Sequence, residues 1–157
     1  MRRKDREITN FNDMLNILKA CTVCRIGLND NGNVPYIVPL NFGLEVKGEQ
    51  ITFYFHGAPE GHKMDLIRQN DGAVSFEADT DTQIVAGRLA CDYTCKYHSV
   101  MGKGKIEIIN DTGEKMHALR QIVTQYANAP NLAMSEEVVK KTCVMKLTVT
   151  EWTCKES

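Results

Sequence analysis

The sequence has no apolar run that approaches the length of a membrane span, so no crossing segment is expected. It has little charge of either sign to spare. A formal net charge of −1 excludes the broad field that steers nucleic acid or anionic membrane surfaces. The one basic cluster, Arg2-Arg3-Lys4 with Arg6, is diluted by Asp5 and Glu7 and reads as a solvated N-terminal arm. That charged start leads directly into an amphipathic segment and lacks the pattern of a secretory leader. The chain is therefore expected in the cytoplasm, where thiols stay reduced. There are no internal repeats, no low-complexity stretch and no linker, so residues 1–157 are expected to form one domain. The G-x-G-x-x-G fingerprint of a dinucleotide fold is also missing.

Cysteine is not scarce: there are six. Cys21-Thr22-Val23-Cys24 has the spacing of a zinc knuckle or a redox pair. If a strand already runs through Cys21, however, residues three apart face opposite sides of the sheet. Cys91 and Cys95 would share a face of a strand but stand roughly 13 Å apart, too far for one metal. Cys143 and Cys154 are isolated. Buried free thiols are the expectation for this set.

Taken in order, Thr9-Asn10 offers a cap, and Phe11, Met14, Leu15 and Leu18 follow at helical spacing to Ala20. Residues 22–28 and 34–42 read as two strands joined at Asn29-Asp30-Asn31-Gly32-Asn33, a strong hairpin signal. Only four prolines occur in the chain, and two of them, Pro35 and Pro39, fall in that second strand. Proline marks an edge, a bulge or a strand end. Such a strand is either a plain edge or one whose free backbone groups meet a ligand. A turn at Lys47-Gly48-Glu49 precedes a strand over 50–55.

The stretch from Phe53 to Arg68, FYFHGAPEGHKMDLIR, then runs from strand to Gly-bearing loop to helix start. The free N–H groups and positive end of a helix favour an anion, and Lys63 adds a full charge. The arrangement suits a phosphate; the alternative is an ordinary connection with a solvated lysine. Beyond it, Asn70-Asp71-Gly72 turns into a strand over 73–78, residues 79–83 read as a loop or hairpin tip, and 84–91 as strand-like. Residues 94–109 read as one bent strand or two, kinked at Gly102 and Gly104. A helix with Met116, Leu119, Ile122, Val123 and Tyr126 as its apolar positions ends before Pro130, a short helical turn covers 135–140, and an alternating strand over 142–152 closes the sheet. Six or seven strands with two or three helices predict a mainly β fold, a barrel with helices over an opening.

Three stretches together, VPYIVPLNFGLE (34–45), ITFYFHGAPEGHKMDLIRQNDGAVSFEAD (51–79) and ACDYTCKYHSVMGKGKIEII (90–109), resemble the pyridoxamine 5'-phosphate oxidase-like flavoproteins with the FMN-binding split barrel. The nitroimidazole-resistance branch is the most similar, and the N-terminal MRRKDREI fits it as well. The resemblance implies a homodimeric split barrel with FMN, or FAD, at the subunit interface. It implies that Val38, Pro39, Leu40 and Asn41 lie against the flavin, with backbone groups near its polar edge. It places His56 and Gly57 by the ring or ribityl chain, and His62 and Lys63 on the 5'-phosphate. Tyr97, Ser99 and Val100 would come from the long strand, on the same or the other subunit. His56, before a glycine where a ligand can approach closely, is the candidate for acting on substrate. The arginine-rich clamp of the vitamin-making oxidases is not apparent, so the resemblance implies reduction of a small electrophile such as a nitroaromatic, with NADH or NADPH as donor. A flavin-binding module without turnover and a haem-binding relative on the same fold are the other readings. No nucleic acid, membrane or metal is implied.

Overall fold

The computed structural model describes residues 3–30, 32, 34–127, 129 and 131–157. Its architecture is a mainly antiparallel sheet with four α-helices. A 3-10 turn at Lys4–Arg6 leads into β1 (Glu7–Ile8) and α1 (Phe11–Ala20). Then come β2 (Cys24–Leu28), β3 (Tyr36–Leu40), β4 (Gly43–Lys47), β5 (Gln50–Gly57) and α2 (His62–Gln69). The rest is β6 (Ala73–Val85), a 3-10 turn at Ala90–Asp92, β7 (Thr94–Ile109), α3 (Thr112–Tyr126), α4 (Glu136–Lys141) and β8 (Cys143–Glu156).

The helices follow their sequence signals. The Asn10 side chain accepts from the backbone N–H groups of Asn12 and Asp13, capping α1, and Asp111 caps α3 through the N–H of Glu114. Met14 and Leu18, one turn apart on α1, are buried in the core. The hairpin turn expected at Asn29-Asp30-Asn31-Gly32-Asn33 includes Asn31 and Asn33, which lie outside the described residues, as do Arg2 of the basic arm and Pro130. On either side of that turn β2 and β3 pair antiparallel, from Cys24 opposite Leu40 to Leu28 opposite Tyr36.

The sheet runs β3-β2-β6-β7-β8-β5-β4, with β1 added against β8. Its two end strands, β3 and β4, are consecutive in the chain and separated only by Asn41 and Phe42. Three Cα steps reach at most about 11 Å, so the sheet has to roll until its ends nearly meet. That is a split barrel. Phe42, fully buried, fills the seam, and its N–H donates to Tyr126 Oη at 2.9 Å. The same hydroxyl donates to the Thr22 carbonyl at 2.8 Å. Gly43 lets α3 pack against the seam, since a Cβ there would lie 2.4 Å from the Ile122 nitrogen.

The barrel interior holds Ile26, Leu28, Ile51, Phe53, Phe55, Phe76, Val100, Met145 and Leu147 around Phe42. A second cluster, Tyr54, Ile109, Ala118, Ile122 and Val144, joins the outer face of β5 and β8 to α3. Strand β5 is thus buried on both faces, each large apolar side chain contributing about 1.5–3 kcal/mol.

Several sequence expectations need correction. Residues 34–42 hold one strand, β3, as expected, but the extended stretch does not end there: Gly43–Lys47 is a further strand at the opposite end of the sheet, so the described residues form eight strands. Residues 79–83 are not a loop; β6 continues through them with an irregularity between Thr80 and Gln83, and the chain leaves the strand after Val85. Cys91 therefore sits in a 3-10 turn rather than beside Cys95 on a strand. Strand β8 does not close the sheet. It lies inside it, between β7 and β5, because rolling the sheet makes the seam fall between β3 and β4. Cys21 ends α1 and β2 starts only at Cys24, so strand parity does not relate the two. Both thiols are buried and free, and burial, helped by nearby carboxylates, pushes each up to about 12. Residues 94–109 form one strand, whose pairing with β8 shifts register between Lys103 and Gly104. The N-terminal arm is not wholly solvated, since Glu7 and Ile8 pair with Lys155 and Cys154.

Candidate functional site

Strand β5 ends in His56-Gly57, and after four intervening residues α2 begins at His62. Gly61 is the N-cap of α2 and supplies no side-chain hydrogen bond; its carbonyl accepts from the N–H groups of Met64 and Asp65 at 2.8 and 3.2 Å, which leaves the N–H groups of His62 and Lys63 without an acceptor among the described residues. The Lys63 side chain folds back over the loop. A Cβ on Gly57 would lie 2.8 Å from Lys63 Nζ, so a side chain there would push the ammonium aside. Lys63 is half-buried, and among the described residues its ammonium has no carboxylate or hydrogen-bond partner. A partly desolvated charge without a counterion is unfavourable and marks a place where an anion would be welcome.

His56 stands at the rim beside this charge. Partial burial and then the Lys63 ammonium both lower its pKa below the ordinary 6.5, so the imidazole is neutral at pH 7. His62 turns the other way, toward the β2–β3 hairpin. Its Nε2 lies 2.7 Å from Asp30 Oδ2, and its ring meets the Tyr36 ring edge-on at 4.8 Å between centroids. Asn70, at the far end of α2, donates to the Asn29 carbonyl at 2.8 Å. The hairpin is thus tied to both ends of α2.

This tie sets β3 beside the helix start. β3 pairs with β2 on one side only, so its other edge keeps every second backbone N–H and carbonyl outside the ladder. Pro39 adds no donor to the sheet. Val38 and Leu40 pack against the core, whereas Tyr36, Ile37, Pro39 and Asn41 are exposed. His56, Gly57 and Lys63 thus meet at the β5–α2 loop, and His62 joins that helix start to the hairpin through Asp30 and Tyr36; Val38, Pro39, Leu40 and Asn41 follow along the free edge of the strand that Tyr36 begins.

Tyr97, Ser99 and Val100 lie elsewhere. Strand β7 is three strands from β3 in the sheet, about 14 Å at ordinary spacing. Val100 is fully buried in the barrel core, Ser99 is 7% exposed, and Tyr97 lies under the Lys155 ammonium at 5.2 Å. If these residues meet a ligand held at β3 and Lys63, they do so from another copy. Sequence reasoning missed Asp30 and Tyr36 as neighbours of the site. Both looked like hairpin residues, and no local pattern links them to a histidine so distant in the chain, 32 positions from Asp30.

A second network lies on the opposite flank. Tyr54 donates to Glu45 Oε2 at 2.8 Å and His117 Nε2 lies 2.9 Å from Glu45 Oε1. Burial raises the Glu45 carboxyl, but hydrogen bonds from Tyr54, Lys47 and His117 outweigh it and hold the group below its usual range. This network fastens α3 to β4 and β5. Among the described residues no cluster of His, Cys, Asp and Glu could hold a metal ion, and no helix is long and apolar enough to cross a membrane.

The profile of the pyridoxamine 5'-phosphate oxidase family matches residues 12–156. A solved structure of a candidate 5-nitroimidazole antibiotic resistance protein from Bacteroides thetaiotaomicron is 31% identical, with a TM-score of 0.81 over 96% of this chain and 86% of that one. The flavocytochrome Anf3 of Azotobacter vinelandii shares the fold at 24% identity, with a TM-score of 0.78 over 100% of this chain and 72% of that one. An FAD and haem binding protein of Mycobacterium smegmatis does so at 17% identity and a TM-score of 0.78, over 97% of this chain and 73% of that one. No curated protein matches.

Proposed function

Because the chain belongs to the pyridoxamine 5'-phosphate oxidase family, we propose that it is a homodimeric FMN-binding oxidoreductase that reduces a small electrophile, such as a nitroaromatic, at the expense of NADH or NADPH. The observation that carries the reading is the ammonium of half-buried Lys63, without a partner among the described residues, packed on Gly57 beside a start of α2 that no side chain caps. A phosphate dianion fits that cradle, which combines a fixed cation with free backbone donors. The unpaired edge of β3 fits the polar margin of an isoalloxazine, which needs backbone donors and acceptors rather than side chains. FMN, when bound, supplies the two-electron redox chemistry; the protein binds, orients and shields it.

In this reading Lys63 and His62 hold the phosphate, and the backbone of Val38, Pro39, Leu40 and Asn41 sets the orientation of the ring. His56, neutral at pH 7, stands at the rim where it can bind substrate or pass a proton to it. The homodimer is supported by the separation of the two residue groups: Tyr97 and Ser99 lie too far round the barrel to complete the same site. The outer face of β2, β3, β6 and β7 offers a shallow surface for a second copy, floored by Gly27, Ser75 and Gly102 and flanked by exposed Ile37 and Met101.

The test is spectroscopic. Purified protein should carry oxidised-flavin absorbance, bleach under anaerobic NADH or NADPH, and recover its colour when a nitroimidazole is added. Light scattering should give twice the chain mass. A Soret band in place of flavin bands, or flavin that neither nicotinamide bleaches, would overturn the proposal.

A further inference from the structure

Strands β6 and β7 outrun the sheet that holds them. On one side β2 pairs with β6 only as far as Glu77. On the other, β8 accompanies β7 no further than His98, save for one bond from the Ser157 N–H to the Tyr97 carbonyl at 2.9 Å. Past those points β6 and β7 pair only with each other, Gln83 with Lys96, Ile84 with Cys95 and Val85 with Thr94. A two-stranded ribbon alone in water is marginal, yet this one is well ordered at both ends. At its root Asp81 takes a left-handed backbone, φ 56°, which bends the ribbon, and its carboxylate lies 2.9 Å from His98 Nδ1 on the facing strand. At its tip the Leu89 N–H donates to Asp92 Oδ2 at 3.1 Å, and the Asp92 N–H donates to the Leu89 carbonyl at 3.0 Å. Gly87 closes the tip, since a Cβ there would lie 2.3 Å from Asp92 Cβ. This ordered arm holds Ile84, Leu89 and Tyr93 out in solvent, 69%, 61% and 56% exposed.

A second exposed apolar patch, Val34, Tyr36 and Ile37, lies on β3 and just before it. The ladder fixes how the two patches are related. Tyr36 stands opposite Leu28, and Gly27 opposite Ser75. The β3 patch is therefore at the end of the outer face where β6 begins, on the outermost strand. The arm leaves from the other end of β6, on the side of β7. The patches occupy opposite corners of one face, so a chain does not cover its own. A two-fold axis along the other diagonal of that face lays each patch on its complement in a second copy. The contact is then made twice and closes on itself.

We infer that the β6–β7 arm of each subunit clasps a second copy of this chain, seating Ile84, Leu89 and Tyr93 on Val34, Tyr36 and Ile37; this rests on the homodimer of the proposed function. Each of these side chains carries on the order of 100 Å² of apolar surface. Over both clasps that is on the order of 1,200 Å², the size that a stable interface needs. The shallow floor of Gly27 and Ser75 lies between the two corners and joins them. Tyr36 meets the His62 ring at the start of α2. The arriving tip thus walls the space between β3 and α2, which a single chain leaves open. A preformed tip that presents a tyrosine loses little freedom on docking.

The test is cross-linking of the full-length protein by a short bismaleimide, which joins two thiols. Cys91 is exposed on the tip, and Val34→Cys puts a thiol in the opposite corner. Val34→Cys should run as a covalent dimer on a denaturing gel, and Cys91→Ser added to it should abolish the band. Wild type, whose two tips the axis keeps apart, should give no dimer band. Nor should Val138→Cys, exposed on α4 outside both patches. Leu89→Asp combined with Tyr93→Asp should keep the circular dichroism spectrum and raise the dimer dissociation constant by at least about tenfold in sedimentation. A dimer in light scattering without the Cys91 cross-link, a cross-link closed within one chain, or a double variant that dimerises as wild type does would overturn the clasp and leave the homodimer standing. A monomer in light scattering would overturn the homodimer, and the clasp with it.

Discussion

Replacing Lys63 by Met separates a binding role from a structural one, because the two predict opposite signs. Met keeps an unbranched stem to pack over the loop and removes only the ammonium. In the free protein Lys63 is half-buried and its ammonium, close to Gly57, has no counterion among the described residues, so no bond that it makes supports the fold. Lys63→Met should leave the melting temperature of the flavin-free protein unchanged or raise it. With FMN the balance reverses. The uncapped N–H groups of α2 remain, but the charge-assisted bond to the phosphate is lost, at about 1.5–3 kcal/mol. That is roughly ten- to more than a hundredfold in affinity. Riboflavin binding should hardly change. A third signal comes from His56, whose pKa is lowered by partial burial and also by the Lys63 charge. In Lys63→Met its NMR titration midpoint should move up toward 6.5, with burial keeping it from arriving. Calorimetry, thermal melts of flavin-free protein and histidine NMR measure the three effects. A destabilised free protein that loses FMN and riboflavin equally would mean that Lys63 supports the loop, and the cradle argument would fail.

Three other outcomes are expected. His56→Ala should retain most of its flavin and lose turnover; flavin content falling in step with activity would place His56 in cofactor retention instead. A histidine whose folded pKa is depressed binds protons more readily in the unfolded chain, so its effect is absent well above 6.5 and stability declines as pH falls through 6.5 toward the folded value. Urea midpoints at pH 8 and pH 5.5 should therefore converge in His56→Gln relative to wild type, and an unchanged gap would show that other groups carry the dependence. Tyr126→Phe removes the acceptor for the buried Phe42 N–H and the donor to Thr22. It should cost about 1–2 kcal/mol, with the melting temperature falling by about 2–4 °C for each kcal/mol; a neutral result would mean that water replaces the hydroxyl at the seam.

What could be read from the sequence was local. α1, α2 and α3 announce themselves through caps and apolar spacing at Asn10, Gly61 and Asp111, because a helix is stabilised by residues three and four apart. The loop that carries Gly57 and Lys63 was legible for the same reason: strand end, glycines and helix start are contiguous. Strand β4 was not legible. Residues 34–47 form an almost unbroken extended stretch, and only the rolling of the sheet assigns its two halves to opposite ends of the ladder. The continuation of β6 through 79–83 was hidden by its polarity, since residues beyond the barrel wall need no apolar face.

The sequence by itself determined which residue types stand around Gly57 and that a cation follows a glycine loop at a helix start. The tertiary structure alone decided that Lys63 lacks a counterion among the described residues, that His62 meets Asp30, and that Val100 points into the core. Each of these depends on contacts between residues far apart in the chain, made when a sheet rolls and a hairpin is pinned to a helix, and side-chain periodicity carries no record of which distant elements will meet.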